Sequence, residues 1–259
     1  QERRDLIEKG IREIALKAHL TPLPDEALLN EVAGLVEWPV ALMGAVDTQF
    51  MDLPREVITT PMRVHQRYFP LRDEAGKLAP YFGVIANTEA RDLGKKIIQG
   101  NERVLRARLA DAQFFWEQDQ KHPLAHFNTA LKTRLFHQHL GSLFDKQERL
   151  GKLASRLAET MGGDSTIVSR AAHLCKADLA SQMVGEFPEL QGIMGRYYAQ
   201  AQGESAEVAQ AIEEHYWPKA SGDPIPDALP SLILAIADRI DSLVGFFALG
   251  ITPSGSKDP

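Results

Sequence analysis

Apolar residues recur at helical spacing through residues 1–18, where Ile7 and Ile11 stand among charged neighbours. Apolar positions three or four residues apart mark one face of an amphipathic helix. Pro22 and Pro24 follow, and proline cannot supply the amide hydrogen that a helix interior needs. The pattern therefore predicts a first helix followed by a loop.

A second, shorter amphipathic pattern begins after Asp25. Apolar runs then occupy residues 53–87 on both sides of the polar sequence DEAGK at 73–77. Runs rich in β-branched and aromatic residues that flank such a polar segment are typical of strands joined by a turn. The pattern indicates a first part that mixes helices and strands.

From Asp92 onward the strand pattern disappears and long helical patterns follow, with short breaks near residues 122, 161, 186, 202 and 220. The predicted fold class is α+β. A mixed α/β domain is expected over 1–121, and an all-α domain over 122–259.

Composition is that of an ordinary globular protein, with 44% hydrophobic and 25% charged residues in 259. Cys175 is the only cysteine, which excludes an intramolecular disulfide and a cysteine-rich zinc site. No apolar run approaches the roughly 18 residues that a membrane span needs. We expect a cytoplasmic protein without a membrane partner. Because the chain begins at Gln1 and stops soon after an apolar stretch, both ends are interpreted as cuts in a longer polypeptide.

Charge is distributed unevenly, since residues 91–156 carry a net +6 while the whole chain carries −6. Local positive charge favours contact with a phosphate backbone. A solvated helix face rich in Lys and Arg gives the same count, so charge alone leaves both interpretations open.

The basic segment 95–116 projects as an amphipathic helix. Its expected apolar side consists of Ile97, Val104, Leu105, Leu109, Ala112, Phe115 and Trp116. Its expected polar side carries Lys95, Lys96, Gln99, Arg103 and Arg106. We predict that Lys95, Lys96, Arg103 and Arg106 bind RNA phosphates, with an ordinary solvated face as the alternative. Arg108 projects into the apolar side, so we expect it to be ion-paired.

Three long strings carry a family resemblance: GNERVLRARLADAQFFWEQD at 100–119, KADLASQMVGEFPELQGIMGRYYA at 176–199 and AIADRIDSLVGFFALG at 235–250. They resemble the β subunits of bacterial two-subunit glycyl-tRNA synthetases. Further matching strings lie at 31–40, 66–70, 211–226 and 254–259. The resemblance implies an internal fragment of such a subunit, from an α2β2 enzyme that attaches glycine to its tRNA with ATP and magnesium.

The same resemblance implies that the α subunit carries out the adenylate chemistry, while the β subunit binds tRNA. The expected partners are therefore the α subunit and glycine tRNA. The sequence agrees, because it contains neither a Gly-rich phosphate loop nor the nucleotide-binding motifs of either synthetase class. We expect no catalytic residue and no cofactor in this chain, within a complete enzyme that is a ligase.

The second part resembles the HD superfamily, whose hydrolases bind a metal through a histidine, an adjacent His-Asp pair and a later aspartate. A predicted helix over AAHLCKADLA at 171–180 carries Lys176-Ala177-Asp178 where the pair would be, and Asp238 is the candidate for the later aspartate. Ala177 cannot bind a metal, so Asp178 and Asp238 are interpreted as degenerate HD-like positions.

A first histidine for such a site would have to come from His137 or His139. Two carboxylates and one imidazole make a poor ligand set for a transition metal, so no metal site is expected. The alternative functions are an HD-type metal-dependent phosphohydrolase and a structural module that contacts the α subunit. Asp178 is expected to be a buried, partnered structural aspartate. His215 is interpreted as a packing residue.

The first part resembles an editing-like or linker region found in other synthetase β subunits. We find no nucleophile, metal cluster or paired carboxylates there that would support hydrolysis, so a scaffold role is expected. Tyr197, Tyr198, Tyr216 and Trp217 lie close to turns of the second part. Core packing is the preferred interpretation of these aromatic residues, and stacking on an exposed base is the alternative.

Overall fold

The structure is a computed structural model that describes residues 1–253, so the string SGSKDP at 254–259 lies outside the described residues. The chain divides into two compact units, Gln1–Trp116 and Glu117–Pro259. A four-stranded antiparallel sheet belongs to the first unit, and helices make up most of the second. The predicted α+β class is therefore confirmed. The division falls slightly before residue 121, the limit expected from the sequence.

The first unit begins with a helix and returns to helix after its sheet. Its helices are α1 (Glu2–Lys17), α2 (Glu26–Leu35), α3 (Arg55–Thr60) and α4 (Lys95–Asp119), the last of which ends in the second unit. Its strands are β1 (Thr21–Pro22), β2 (Val40–Ala45), β3 (Phe69–Arg72) and β4 (Leu78–Ala86), in the sheet order β1-β3-β4-β2.

Helix α1 packs on the sheet through the apolar face that the sequence predicts. Ile7 and Ile11 are buried with Val32 of α2 and Phe69 of β3. The β3–β4 turn over 73–77 was also predicted, and the backbone amide of Lys77 donates to Asp73 Oδ1 over 2.9 Å. Periodicity and turn chemistry were sufficient for these elements because both are local signals.

The strand predicted near residue 55 was wrong. Helix α3 (Arg55–Thr60) and a π-helical turn (Pro61–His65) occupy that segment. Val57, Ile58 and Met62 are buried, so the helical segment contributes its apolar side chains to the core. Val and Ile favour strands, which is why the pattern predicted one here. Tertiary burial outweighed local propensity.

The second unit contains seven helices among the described residues: α5 (Asn128–Leu131), α6 (Leu143–Met161), α7 (Ser165–Leu174), α8 (Gln182–Glu186), α9 (Ile193–Ala201), α10 (Ala206–Glu214) and α11 (Leu229–Ala248). A two-stranded ladder, β5 (Leu135–His137) with β6 (Gly141–Ser142), was not predicted. Helix α6 begins with a capping box between Ser142 and Asp145 and ends at Gly162, whose φ is 75°. No helix within residues 1–253 is long and apolar enough to span a membrane.

Asp119, the last residue of α4, is a buried carboxylate that organises the start of α8. It accepts hydrogen bonds from the backbone amides of Gln182 (3.0 Å) and Met183 (2.9 Å), and from the Tyr198 hydroxyl (2.8 Å). Tyr198 is fully buried, so its hydroxyl forms a hydrogen bond with the Asp119 carboxylate instead of with water.

We expect Asp119→Ala to lower the free energy of unfolding by about 3 kcal/mol, because it leaves two buried donors and one part-buried donor without their acceptor. Urea unfolding followed by circular dichroism measures this loss. Asp111→Ala is the matched control, since Asp111 lies on the same helix and is exposed. A loss below about 0.5 kcal/mol for both variants, the range typical of surface positions, would contradict the assigned role of Asp119.

Candidate functional site

Asp178 lies outside the helix on which the sequence placed it. Helix α7 ends at Leu174, and Ala177–Ala180 form a 3-10 turn. Asp178 is fully buried, and its Oδ2 accepts hydrogen bonds from the backbone amides of Gly192 (2.5 Å) and Gly195 (3.1 Å). The predicted continuation of the helix to residue 180 was therefore wrong. Asp178 is nevertheless buried and has hydrogen-bond partners, as expected.

Burial raises the pKa of Asp178 to about 6, although the amides of Gly192 and Gly195 oppose the rise. A β-carbon at position 195 would come within 2.6 Å of Ile212 Cγ2 and 3.2 Å of Asp178 Oδ2. Glycine there lets the α9 backbone approach the carboxylate closely. Asp178 thus fixes the start of α9.

Asp238 of α11 is held by two buried lysines. Its Oδ2 accepts from Lys176 Nζ over 2.9 Å, and its Oδ1 lies 2.9 Å from Lys146 Nζ of α6. Burial opposes ionisation of Asp238, but the charges of Lys176 and Lys146 outweigh burial and hold its pKa well below the ordinary range. Asp238 is a carboxylate whose two oxygens already face cations.

His215, which follows α10, completes the environment of Lys176. Lys176 Nζ is 2.8 Å from His215 Nε2, and His215 Nδ1 is 2.7 Å from the Ile212 carbonyl oxygen. An ammonium only donates, so Nε2 accepts and the hydrogen on Nδ1 is donated to the carbonyl. Burial, followed by the charge of Lys176, lowers the pKa of His215 well below its usual value. The imidazole is therefore neutral and fixed in one tautomer. Lys176 Nζ also stands 4.2 Å from the centre of the Tyr216 ring.

The cluster continues from Lys146 to the next turn of α11. Lys146 Nζ donates to Asp241 Oδ2 (3.2 Å) and to Ser242 Oγ (2.8 Å). Arg149 Nε and Nη2 donate to the two oxygens of Asp241 over 2.6 and 3.1 Å. Helices α6 and α11 are thus joined by a chain of alternating charges.

These residues do not fit a divalent metal ion. Asp238 is neutralised by two ammonium groups, and Oδ2 of Asp178 is occupied by backbone amides. His137 and His139 do not supply the first histidine, because His137 packs against Phe246, more than two turns of α11 beyond Asp238. Within residues 1–253 there is no group of three or more His, Cys, Asp or Glu side chains that could hold a metal.

The sequence interpretation missed the role of three residues: Lys146, Lys176 and His215. Lys176 follows five residues in the string AAHLCK, four of which are apolar. A lysine beside so many apolar residues is the one signal that could have revealed its burial. His215 carried no such signal, because its partner lies 39 residues earlier in the chain.

Cys175, beside Lys176, is a buried thiol. Its sulfur lies 3.3 Å from the Ala172 carbonyl oxygen, and burial raises its pKa to about 12. A thiol that stays protonated at neutral pH is a poor nucleophile and a poor metal ligand.

The predicted RNA-binding cations of α4 do not share one environment. Lys95, Lys96 and Arg103 are exposed. Arg106 forms a bidentate salt bridge with Asp47, in which Nε donates to Oδ2 over 2.6 Å and Nη2 donates to Oδ1 over 3.1 Å. A bidentate carboxylate already occupies the donors that a phosphate would use, so Arg106 is the least available of the four.

The helical projection of α4 was correct for its centre and wrong at one edge. Leu105, Leu109 and Ala112 are buried, but Val104 is 44% exposed. Arg108 is half-buried and has an interaction partner. The buried face is narrower than the projection suggested.

Two of the aromatic residues near the turns, Tyr198 and Tyr216, contact interior residues of the second unit. Tyr198 is buried and its hydroxyl donates to Asp119, while the Tyr216 ring covers Lys176. Tyr197 lies against the Arg196 guanidinium, 4.1 Å from ring centre to Cζ. Core packing is therefore the role of Tyr198 and Tyr216.

Comparison with known proteins matches residues 1–259 to the family model described as glycyl-tRNA synthetase beta subunit. The chain belongs to this family. It is 49% identical over 258 residues to the glycine–tRNA ligase beta subunit of Pseudomonas syringae pv. tomato, a match that covers 100% of this chain and 38% of the relative. It is 50% identical over 262 residues to the glycine–tRNA ligase beta subunit of Rhodospirillum centenum, covering 100% of this chain and 37% of the relative. The chain therefore spans little more than a third of the length of these relatives.

We expect Lys176→Ala to destabilise the fold by about 3 to 5 kcal/mol, because it leaves Asp238 Oδ2 and His215 Nε2 buried without their donor. The free energy of unfolding in urea measures the change. Lys152→Ala on α6 is the control, since Lys152 is exposed. Similar unfolding midpoints for Lys176→Ala and the unsubstituted chain would show that the cluster does not hold these elements together.

The neutral state of His215 predicts a pH dependence of stability. The pKa of His215 is lower in the folded chain than in the unfolded one, so between the ordinary histidine value near 6.5 and the folded value the unfolded chain binds more protons. The contribution of His215 to the free energy of unfolding is therefore fully present above about pH 6.5 and is lost as the pH falls.

His215→Gln should remove this dependence, so we expect the unsubstituted chain to lose about 1 kcal/mol more than the variant between pH 7.5 and 5.5. Unfolding free energies of both proteins across that range give the difference. All other titrating groups, including Asp178, are common to both. Parallel curves would mean that His215 has the same pKa in the folded and unfolded states.

Proposed function

We propose that this chain is the tRNA-binding and assembly part of a glycyl-tRNA synthetase β subunit. The complete enzyme would join glycine to its tRNA with ATP and magnesium, in the cytoplasm, and the α subunit would form the adenylate. The match of the whole chain to the β-subunit family carries the proposal. The relatives in that family are named glycine–tRNA ligase beta subunits.

The geometry of the second unit argues against the alternative of an HD-type phosphohydrolase. Metal-dependent hydrolysis needs an ion that activates water. At the HD-like positions, both oxygens of Asp238 face lysine ammonium groups, and backbone amides take Oδ2 of Asp178. Of these oxygens, Asp178 Oδ1 alone has neither a hydrogen bond nor an ion pair to residues 1–253, and one free oxygen does not make a metal site. The cluster is a charge-balanced structural centre.

The exposed cations of α4 support the tRNA-binding part of the proposal. Lys95 and Lys96 lie in its first turn, and Arg103 lies about two turns further along. Cations with no competing carboxylate can bind backbone phosphates and release condensed counterions. We exclude Arg106 from this set because it is paired with Asp47.

The C-terminal half of α11 supports the assembly part. Leu243, Val244 and Phe247 are 51, 61 and 52% exposed. Ile240 lies on the same half of the helix, and Leu249 directly follows its end. Large apolar side chains grouped on a surface mark interaction sites more often than chance exposure does. This surface is suited to contact with another folded part of the enzyme.

The triple variant Lys95→Glu, Lys96→Glu and Arg103→Glu in the complete α2β2 synthetase tests the tRNA contact. We expect weaker tRNA binding and a flatter dependence of log affinity on log salt, by roughly 0.7 to 0.9 for each phosphate that is no longer bound. Filter binding of glycine tRNA at several salt concentrations measures both. Glycine-dependent ATP–pyrophosphate exchange should stay unchanged.

The matched control reverses Lys9, Lys17 and Lys77, three exposed cations of the first unit outside α4. It changes the net charge equally, so it separates a specific contact from the general field of the protein. If both triple variants have the same affinity and salt slope, α4 is not the RNA-binding surface. A loss of pyrophosphate exchange would indicate damaged assembly.

A further inference from the structure

A cleft in the first unit brings three arginines together. Arg55 begins α3, Arg63 lies in the π-helical turn and Arg72 ends β3. The cleft has a volume of about 390 Å³, and its walls include Thr59 and Pro70. Segments far apart in sequence have thus placed several guanidinium groups around one space.

The two acidic residues of this cleft are already engaged. Asp25 Oδ2 accepts from Arg63 Nε over 2.6 Å, and Asp25 Oδ1 caps α2 by accepting from the Leu28 amide over 2.9 Å. Glu56 also has an interaction partner. Neither carboxylate forms an ion pair with Arg55 or Arg72.

Arg72 and Arg55 form no ion pair with any of residues 1–253. Arg72 is half-buried, and its Nε donates to Thr21 Oγ1 over 3.2 Å, while its two terminal NH2 groups make no hydrogen bond to the described residues. Arg55 is exposed and forms no ion pair with them. A partly desolvated guanidinium without a partner is costly, and its paired donors match the two oxygens of a carboxylate.

A second cleft adjoins the first, and most of the residues that line it are apolar. It has a volume of about 450 Å³, and Ile11, Leu29 and Phe69 are buried residues in its wall. Arg72, with Leu23, Pro24 and Asp25, lines both spaces. A molecule that reached from one to the other would place a charged group beside an apolar one.

We propose that the joined clefts bind a small molecule that carries one carboxylate beside an aliphatic group. The carboxylate pairs with Arg72 and Arg55, and the aliphatic group packs against Ile11, Leu29 and Phe69. Three arginines and two carboxylates give the first cleft a net charge of +1. The lining of both clefts together holds four arginines and four carboxylates, so a dianionic phosphate ester would bring more excess negative charge than a monoanion.

Ligand-observed saturation-transfer NMR and calorimetry of the full-length protein with 4-methylpentanoate test the proposal. We expect saturable binding with a dissociation constant in roughly the millimolar range, as is usual for so small a ligand. Arg72→Gln should weaken it at least tenfold, and Arg55→Gln severalfold. Arg12→Gln is the control, because Arg12 lines the second cleft but its guanidinium is paired with Glu8.

Three further probes separate the contributions. Acetate lacks the aliphatic group, 4-methylpentanol lacks the charge, and isopentyl phosphate replaces the carboxylate with a dianion. Weaker binding of all three than of 4-methylpentanoate supports the proposal. Equal binding of the alcohol, tighter binding of the phosphate, or unchanged affinity in Arg55→Gln and Arg72→Gln overturns it. Arg55 is exposed and has no ion pair among residues 1–253, so its variant keeps the test valid if Arg72→Gln does not fold.

Discussion

The buried ammonium of Lys176 is the interaction on which the centre of the second unit depends. Lys176 precedes the Ala177–Ala180 turn, and its ammonium contacts His215, which follows α10, and Asp238 of α11. Lys146 of α6 contacts the same Asp238 carboxylate. A buried ion pair adds little net stability over a packed apolar core, but it penalises every arrangement in which a charge loses its partner. The cluster therefore specifies how these segments are placed relative to one another more than it adds to the total free energy.

The same cluster explains why Asp178 and Asp238 do not form a metal site. A metal ion and an ammonium group both supply positive charge to a carboxylate, but only the metal offers open coordination positions for water. Lys176 and Lys146 satisfy the electrostatic need of Asp238 without creating such a position. Asp178 has a different role, because it accepts hydrogen bonds from the backbone amides of Gly192 and Gly195 at the start of α9.

Much of the fold could be predicted from local pattern, and most of the site could not. The apolar repeat of α1 and the turn between β3 and β4 were visible because each depends on neighbours in sequence. The pair of Lys176 with Asp238 spans 62 residues, and the pair of Arg106 with Asp47 spans 59. The sequence indicated which residues carry charge but not which charges are already neutralised in the folded chain. That difference separated Arg106 from Lys95, Lys96 and Arg103.

The burial of Cys175 gives the chain a chemical property that is useful in the laboratory. Its only thiol is enclosed and stays protonated, so maleimide and iodoacetamide reagents should react with it very slowly. These 259 residues therefore behave as a cysteine-free background without any substitution. A single cysteine introduced at an exposed position would be the one site in them that takes a dye or spin label. Each unit could then be followed separately by fluorescence or paramagnetic resonance.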